Sequence, residues 1–163
     1  MRVYADLNFQ NRVSLLSHCH WGLSLKIIME TELLYRETTD KIIKAFYKVY
    51  NTLGFGFLEK VYENALAYEL TKHGFLVQTQ KRLLVYYEAE LVGEYFADVV
   101  AEEKIILELK SAESLNPAHE AQLMNYLKAT EIEVGLLLNF GVKPEFKGKI
   151  FANSRKIFRS KIE

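Results

Sequence analysis

The chain has 163 residues, half of them apolar, which is enough for one well-buried core and too little for two. Charged residues at 26% and aromatics at 13%, with only two prolines and eight glycines, exclude extended disorder. A single cysteine, Cys19, excludes an internal disulfide and any CxxC zinc or redox motif, so a reducing, cytoplasmic setting is expected. The net charge of zero conceals an asymmetry. Residues 143–163 carry seven basic side chains (Lys143, Lys147, Lys149, Arg155, Lys156, Arg159, Lys161) against Glu145 and Glu163. Such a tail either draws a polyanion towards the acidic remainder or is simply a solvated charged end.

Residues 1–30 mix isolated apolar positions with His18, Cys19, His20 and Trp21 in no sustained period, and are set apart as a leader. Met29, just before the first clear element, can serve as an alternative start, so the domain is taken as 31–163. Val13 to Met29 is mildly apolar, but His18, His20 and Lys26 interrupt it before the ~20 apolar residues needed to span a bilayer. The basic start and small-residue cleavage site of a secretory signal are missing too.

From Asp40 onward, Ile42, Ile43, Phe46, Val49, Tyr50 and Leu53 recur at three- and four-residue spacing and predict a helix that Gly54 ends. A second helix follows the Gly54-Phe55-Gly56 break and runs to about His73. Leu58, Val61, Tyr62, Ala65, Leu66 and Leu70 form its apolar face. The pattern then turns β-rich, with strands expected at 76–80, 83–87, 91–101 and 104–110, mostly antiparallel. Asn116-Pro117 reads as a cap followed by proline at the first helical position, opening a helix to Ala129 with Ala121, Leu123, Met124 and Leu127 inward. Val134 to Phe140 has the apolar run of a buried central strand, and one more strand is expected near Ile150 or Ile157.

Two of these strands carry charge where a buried sheet does not accept it without cause. Asp98 lies within Tyr95 to Val100, and Glu108 and Lys110 lie within Ile105 to Lys110. Side chains alternate along a strand, so Glu108 and Lys110 share one face and Leu107 and Leu109 the other. A buried carboxylate is costly unless paired or bound to a cation. Asp98, Glu108 and the Leu109 carbonyl are suited to Mg2+, with Mn2+ as an alternative, and Lys110 to the water that attacks a phosphodiester. A surface lysine with ordinary salt bridges at a sheet edge is the competing reading of the same triplet. For both acids to face one pocket from adjacent antiparallel strands, paired positions must sum to 206. That requires an odd loop such as Glu102-Glu103-Lys104, or a bulge. A plain two-residue turn pairs Asp98 with Leu107 and sends Glu108 to the opposite face.

Further along, Gln122 and Tyr126 are four apart on one helical face, and Glu59 stands in the first turn of the second helix. Gly56-Phe57-Leu58-Glu59-Lys60-Val61-Tyr62 reads as G-x-x-E-x-x-Y. From about Thr38 to Val142 the chain resembles the bacterial GxxExxY proteins, a family of the PD-(D/E)xK nuclease superfamily. The resemblance implies an α/β fold with a restriction-endonuclease-like core, a mixed β-sheet flanked by helices. It further implies Glu59 as a helix-borne acid that joins the metal ligands, Asp98 as the acid of the first motif strand, and Glu108 with Lys110 as the E-x-K. Gln122 and Tyr126 resemble the Q-x-x-x-Y of RecB-type nucleases, and Pro117, His119, Glu120 and Ala121 match the segment before that glutamine. Ala97 stands in place of the nominal proline, and Phe55 where G-P-G is usual; neither position supplies a catalytic group.

The expected function is therefore metal-dependent cleavage of nucleic acid, DNA foremost, by Glu59, Asp98, Glu108, Lys110, Gln122 and Tyr126. Two other readings stay open: a nucleic-acid- or partner-binding module without turnover on the same fold, and a nuclease subunit active only within an assembly.

Overall fold

The computed structural model describes residues 21–156, with side chains described from residue 35. The elements run α1 (Trp21–Leu53), α2 (Glu59–Lys72), β1 (Val77–Tyr87), β2 (Glu90–Ala101), β3 (Ile105–Lys110), α3 (Pro117–Ala129), β4 (Val134–Asn139) and β5 (Glu145–Ile150), with a short 3-10 turn at Asn153–Arg155. The five strands make one sheet in sequence order. β3 and β4 are parallel, joined through α3, and every other pair is antiparallel. This is the mixed-sheet α/β architecture of the restriction-endonuclease-like fold.

The first helix begins at Trp21, well before the expected Asp40. From residue 41 its buried positions are Ile42, Phe46 and Val49 of the predicted stripe together with Ala45, while Ile43, Tyr50 and Leu53 are only partly buried. Two compact units divide within this helix, Met1–Asp40 and Lys41–Glu163. The leader up to residue 20 and the alternative strand at Ile157 lie outside the described residues, and the last strand is at Glu145–Ile150.

Three details differ from the periodic pattern. Segments 76–80 and 83–87 form one continuous strand, because β1 is an edge strand whose exposed side tolerates the polar Gln80-Lys81-Arg82. In α2, Leu58 and Val61 are exposed, and the buried face is Tyr62, Glu63, Leu66, Glu69 and Leu70. In α3, Ala121 is exposed and Tyr126 takes an inner position beside Leu123 and Leu127.

On one side of the sheet, Leu83, Ala97, Val100, Ile106 and Leu137 pack with Leu123, Tyr126 and Leu127 of α3. Elsewhere Phe140 lies between Phe46, edge-on at 4.8 Å, and Tyr62, stacked at 4.3 Å. Ala97 and Val100, three apart, share one core cluster, whereas strict alternation would put them on opposite faces. The pleat of β2 is therefore broken between them, at Asp98. Opposite this point in β1, between the pairs Thr79↔Val99 and Lys81↔Ala97, Gln80 has a left-handed φ of 50°. Among the described residues no helix is long and apolar enough to cross a membrane.

Candidate active site

The β2–β3 connection sets the register that brings the strand-borne acids together. Val99 pairs with Leu107, Val100 with Ile106 and Ala101 with Ile105, so paired positions sum to 206, the parity expected for Asp98 and Glu108, and the Asp98 charge acts on Glu108. The loop is the odd one, Glu102-Glu103-Lys104, with Glu102 and Glu103 both at positive φ. At Asp98 the side chain enters the ladder itself: its Oδ2 accepts the Leu109 backbone N–H at 2.8 Å.

The G-x-x-E-x-x-Y segment has a mechanical logic. The Tyr62 hydroxyl, fully buried, donates to the Gly54 carbonyl at 2.9 Å and accepts from the Phe57 N–H at 3.2 Å. It thereby holds the turn whose glycines, Gly54 and Gly56, take φ of 68° and 104°. That turn delivers Glu59 to the end of β3, where its Oε1 accepts the Ser111 N–H at 3.2 Å while Ser111 Oγ donates to the Phe57 carbonyl. From the other flank, α3 starts on an Asn116 cap closed by His119 and carries Tyr126, whose hydroxyl accepts a 2.7 Å hydrogen bond from Gln122.

Glu59, Asp98, Glu108 and Lys110 are thus within electrostatic reach of one another, and Tyr126, hydrogen-bonded by Gln122, lies within reach of Asp98, Glu108 and Lys110. Glu108 is 1% exposed, and its Oε1 accepts from Lys110 Nζ at 2.7 Å. Burial, then the neighbouring Asp98 charge, push its carboxyl up to about 7, against the pull of Lys110. Burial also raises Asp98, opposed by the Leu109 N–H and Lys110 and reinforced by Glu63 and Glu59. For Lys110, burial works against the ammonium, yet the hydrogen bond to Glu108 and the charges of Glu108, Glu59 and Asp98 outweigh it and hold Lys110 above its ordinary value. Tyr126 is raised by burial and by Glu108 and Asp98, with Gln122 opposing.

A family model described as the PD-(D/E)XK nuclease superfamily matches residues 36–150. The chain belongs to the PD-(D/E)XK nuclease superfamily. No curated protein matches the chain. Among solved structures, the one described as "Crystal structure of SSO0001" aligns at 18% identity with a TM-score of 0.45, over 57% of this chain and 50% of that one. The chain thus spans about half the length of that protein.

PD-(D/E)XK nucleases generally use divalent metals, and the donor set here fits one. The Oε2 of Glu108 is a buried carboxylate oxygen without a hydrogen-bond partner, a costly arrangement that a hard cation beside Asp98 would resolve. Among the described residues no three His, Cys, Asp or Glu side chains gather closely enough to hold a metal ion as they stand. Each acid has its own donor: Glu59 the Ser111 N–H, Asp98 the Leu109 N–H, Glu108 the Lys110 ammonium.

Several groups escaped the sequence reading. Glu63 is 3% exposed and accepts from Gln80 Nε2 at 2.7 Å, with Lys60 on its other oxygen. Its signal was the spacing: Glu59 and Glu63 are one helical turn apart, next to the buried Tyr62. Asn139, fully buried, accepts from the Ala112 N–H and donates to the Ala112 carbonyl, both at 2.9 Å, and so clamps the exit of β3. The basic tail is partly spent: Lys147 and Lys149 pair with Glu120, and Lys156 donates to the Thr130 and Ile132 carbonyls. Arg159 and Lys161 lie outside the described residues.

Proposed function

We propose that the chain is a nuclease of the GxxExxY type that hydrolyses phosphodiester bonds of DNA in the cytoplasm, using Mg2+ or Mn2+. The observation that carries this reading is the partnerless Oε2 of Glu108, buried opposite Asp98 with Lys110 on the other oxygen. Asp98, Glu108 and the Leu109 carbonyl would hold the metal, with Glu59 joining from α2. A divalent cation there lowers the pKa of a bound water and offsets negative charge on the phosphate.

The chain's own groups do the rest. Lys110, hydrogen-bonded to Glu108 Oε1, would orient the attacking water and steady the developing charge. Gln122 orders the Tyr126 hydroxyl, which lies beside the acids where a substrate strand would pass. Asp98 is pre-oriented by the Leu109 N–H.

Supercoiled plasmid incubated with the full chain and Mg2+ or Mn2+ should be nicked, and Asp98→Asn should abolish nicking without unfolding the protein. One observation favours a second reading, a nucleic-acid-binding module without turnover: Glu59 is engaged with Ser111. Retarded but intact plasmid under every divalent metal would establish that reading instead.

A further inference from the structure

Gln80 is an unusual residue for its place. It sits inside a β-strand, directly across from Asp98, in a left-handed conformation that side-chain-bearing residues rarely adopt. Such backbone persists only where its surroundings impose it. Its side chain is engaged by Glu63, whose buried Oε2 takes the Gln80 Nε2 at 2.7 Å while Lys60 pairs with Oε1. The same Nε2 lies 3.5 Å from Asp98 Oδ1. An amide has two hydrogens on that nitrogen, so one side chain can serve both carboxylates. Asp98 is then held at two points, Oδ2 by the Leu109 N–H and Oδ1 by Gln80.

We propose that Gln80 is a positioning residue of the nuclease site: its amide, anchored by the buried carboxylate of Glu63, bridges Glu63 to Asp98 and fixes the direction in which Asp98 presents its carboxylate to a divalent cation. Glu63 supplies the anchor and has no contact with substrate. The alternatives at position 80 fail for definite reasons. A glutamate would place a third acid between two others, and an apolar side chain would leave Glu63 buried with one oxygen unpartnered. The kink at Gln80 and the broken pleat at Asp98 lie face to face, as expected if one interaction maintains both.

This proposal rests on the nuclease reading for its functional part but not for its geometry, and the experiment separates the two. In the full chain free of divalent ions, the side-chain amide signals of Gln80 should stand apart from those of exposed glutamines, and both Glu63→Gln and Asp98→Asn should move them. Signals at free-glutamine positions that ignore both changes would overturn the bridge. Mn2+ titration should then show affinity weakened about 10–100-fold in Gln80→Met, the range expected when support of a ligand is lost. Gln80→Gly, which relaxes the left-handed backbone while removing the amide, should show the same weakening, and it covers the case in which Gln80→Met fails to fold. The exchange Glu63→Gln with Gln80→Glu keeps a hydrogen bond between the two positions but withdraws the donor from Asp98. Recovery of wild-type Mn2+ affinity in that double variant would reduce the pair to a structural contact and refute the proposal. If wild type binds Mn2+ but cleaves no nucleic acid, the nuclease reading falls while the amide signals and the titration still decide the role of Gln80.

Discussion

Replacing Glu108 with Gln should stabilise the protein at pH 8, measured without divalent ions. The carboxyl has an ordinary value of 4.5 and is pushed to about 7 in the fold by burial and by Asp98. Between those two values the folded chain binds more protons than the unfolded one, so stability is fully present below pH 4.5 and falls as the pH rises through 7. About 1.4 kcal/mol per pH unit over that interval amounts to roughly 3 kcal/mol, and the 2% exposure of the side chain leaves little solvent to screen it. Glutamine keeps an acceptor for Lys110 and removes the charge, and the pull of Lys110 on the carboxylate is already contained in the value of about 7. The net gain at pH 8 should therefore be about 3 kcal/mol, or a rise in Tm of roughly 6–12 °C for a chain of this size.

Urea unfolding of wild type and Glu108→Gln, from pH 4 to pH 9 in EDTA, measures this directly. Wild type should lose stability between pH 5 and 8, with Asp98 titrating as part of the same coupled pair, and the variant should show a much flatter profile. A wild-type profile that is level or rising from pH 5 to 8, or a variant less stable than wild type at pH 8, would show that the ion pair with Lys110 outweighs desolvation. The argument for a cation at Glu108 would then lose its energetic basis.

Lys110→Ala should reduce Mg2+-dependent cleavage by at least about 100-fold while Mn2+ affinity, followed by titration, changes little, because Lys110 acts on the water rather than on the ion. Gly141→Ala should be among the most destabilising small changes. An added Cβ would lie 1.9 Å from the Ala112 carbonyl oxygen, which Asn139 holds in place, so backbone must move at a cost of about 1–3 kcal/mol, visible as a Tm lowered by roughly 2–12 °C. A chain begun at Met29 retains the whole Lys41–Glu163 unit and should melt within about 4 °C of the full chain; a larger drop would show that the leader packs on the core.

What could be read in the residues follows from how strongly each position is constrained. The register of β2 on β3 was legible because only one parity lets two acids on neighbouring strands share a face, and Val99 does pair with Leu107. The helix stripe of Ile42, Phe46 and Val49 was legible because burial in a helix has a fixed period. The same logic concealed Glu63 and Glu69. An apolar-stripe reading assigns charged residues to solvent, whereas both are buried against partners far away in sequence, Gln80 for Glu63 and Lys48 for Glu69.

Gln80 escaped for a related reason. Polar residues in a row read as a break between strands, and no local pattern announces that an edge strand continues through one residue at a φ of 50°. The groups that the sequence reveals are those whose spacing along a helix or strand does the work. The groups it conceals are those whose partners come from another element, and in this site they stand behind the acids, where they govern how a carboxylate points rather than whether one is present. A substitution at Glu63 or Gln80 would accordingly leave every motif residue intact while altering the direction of Asp98.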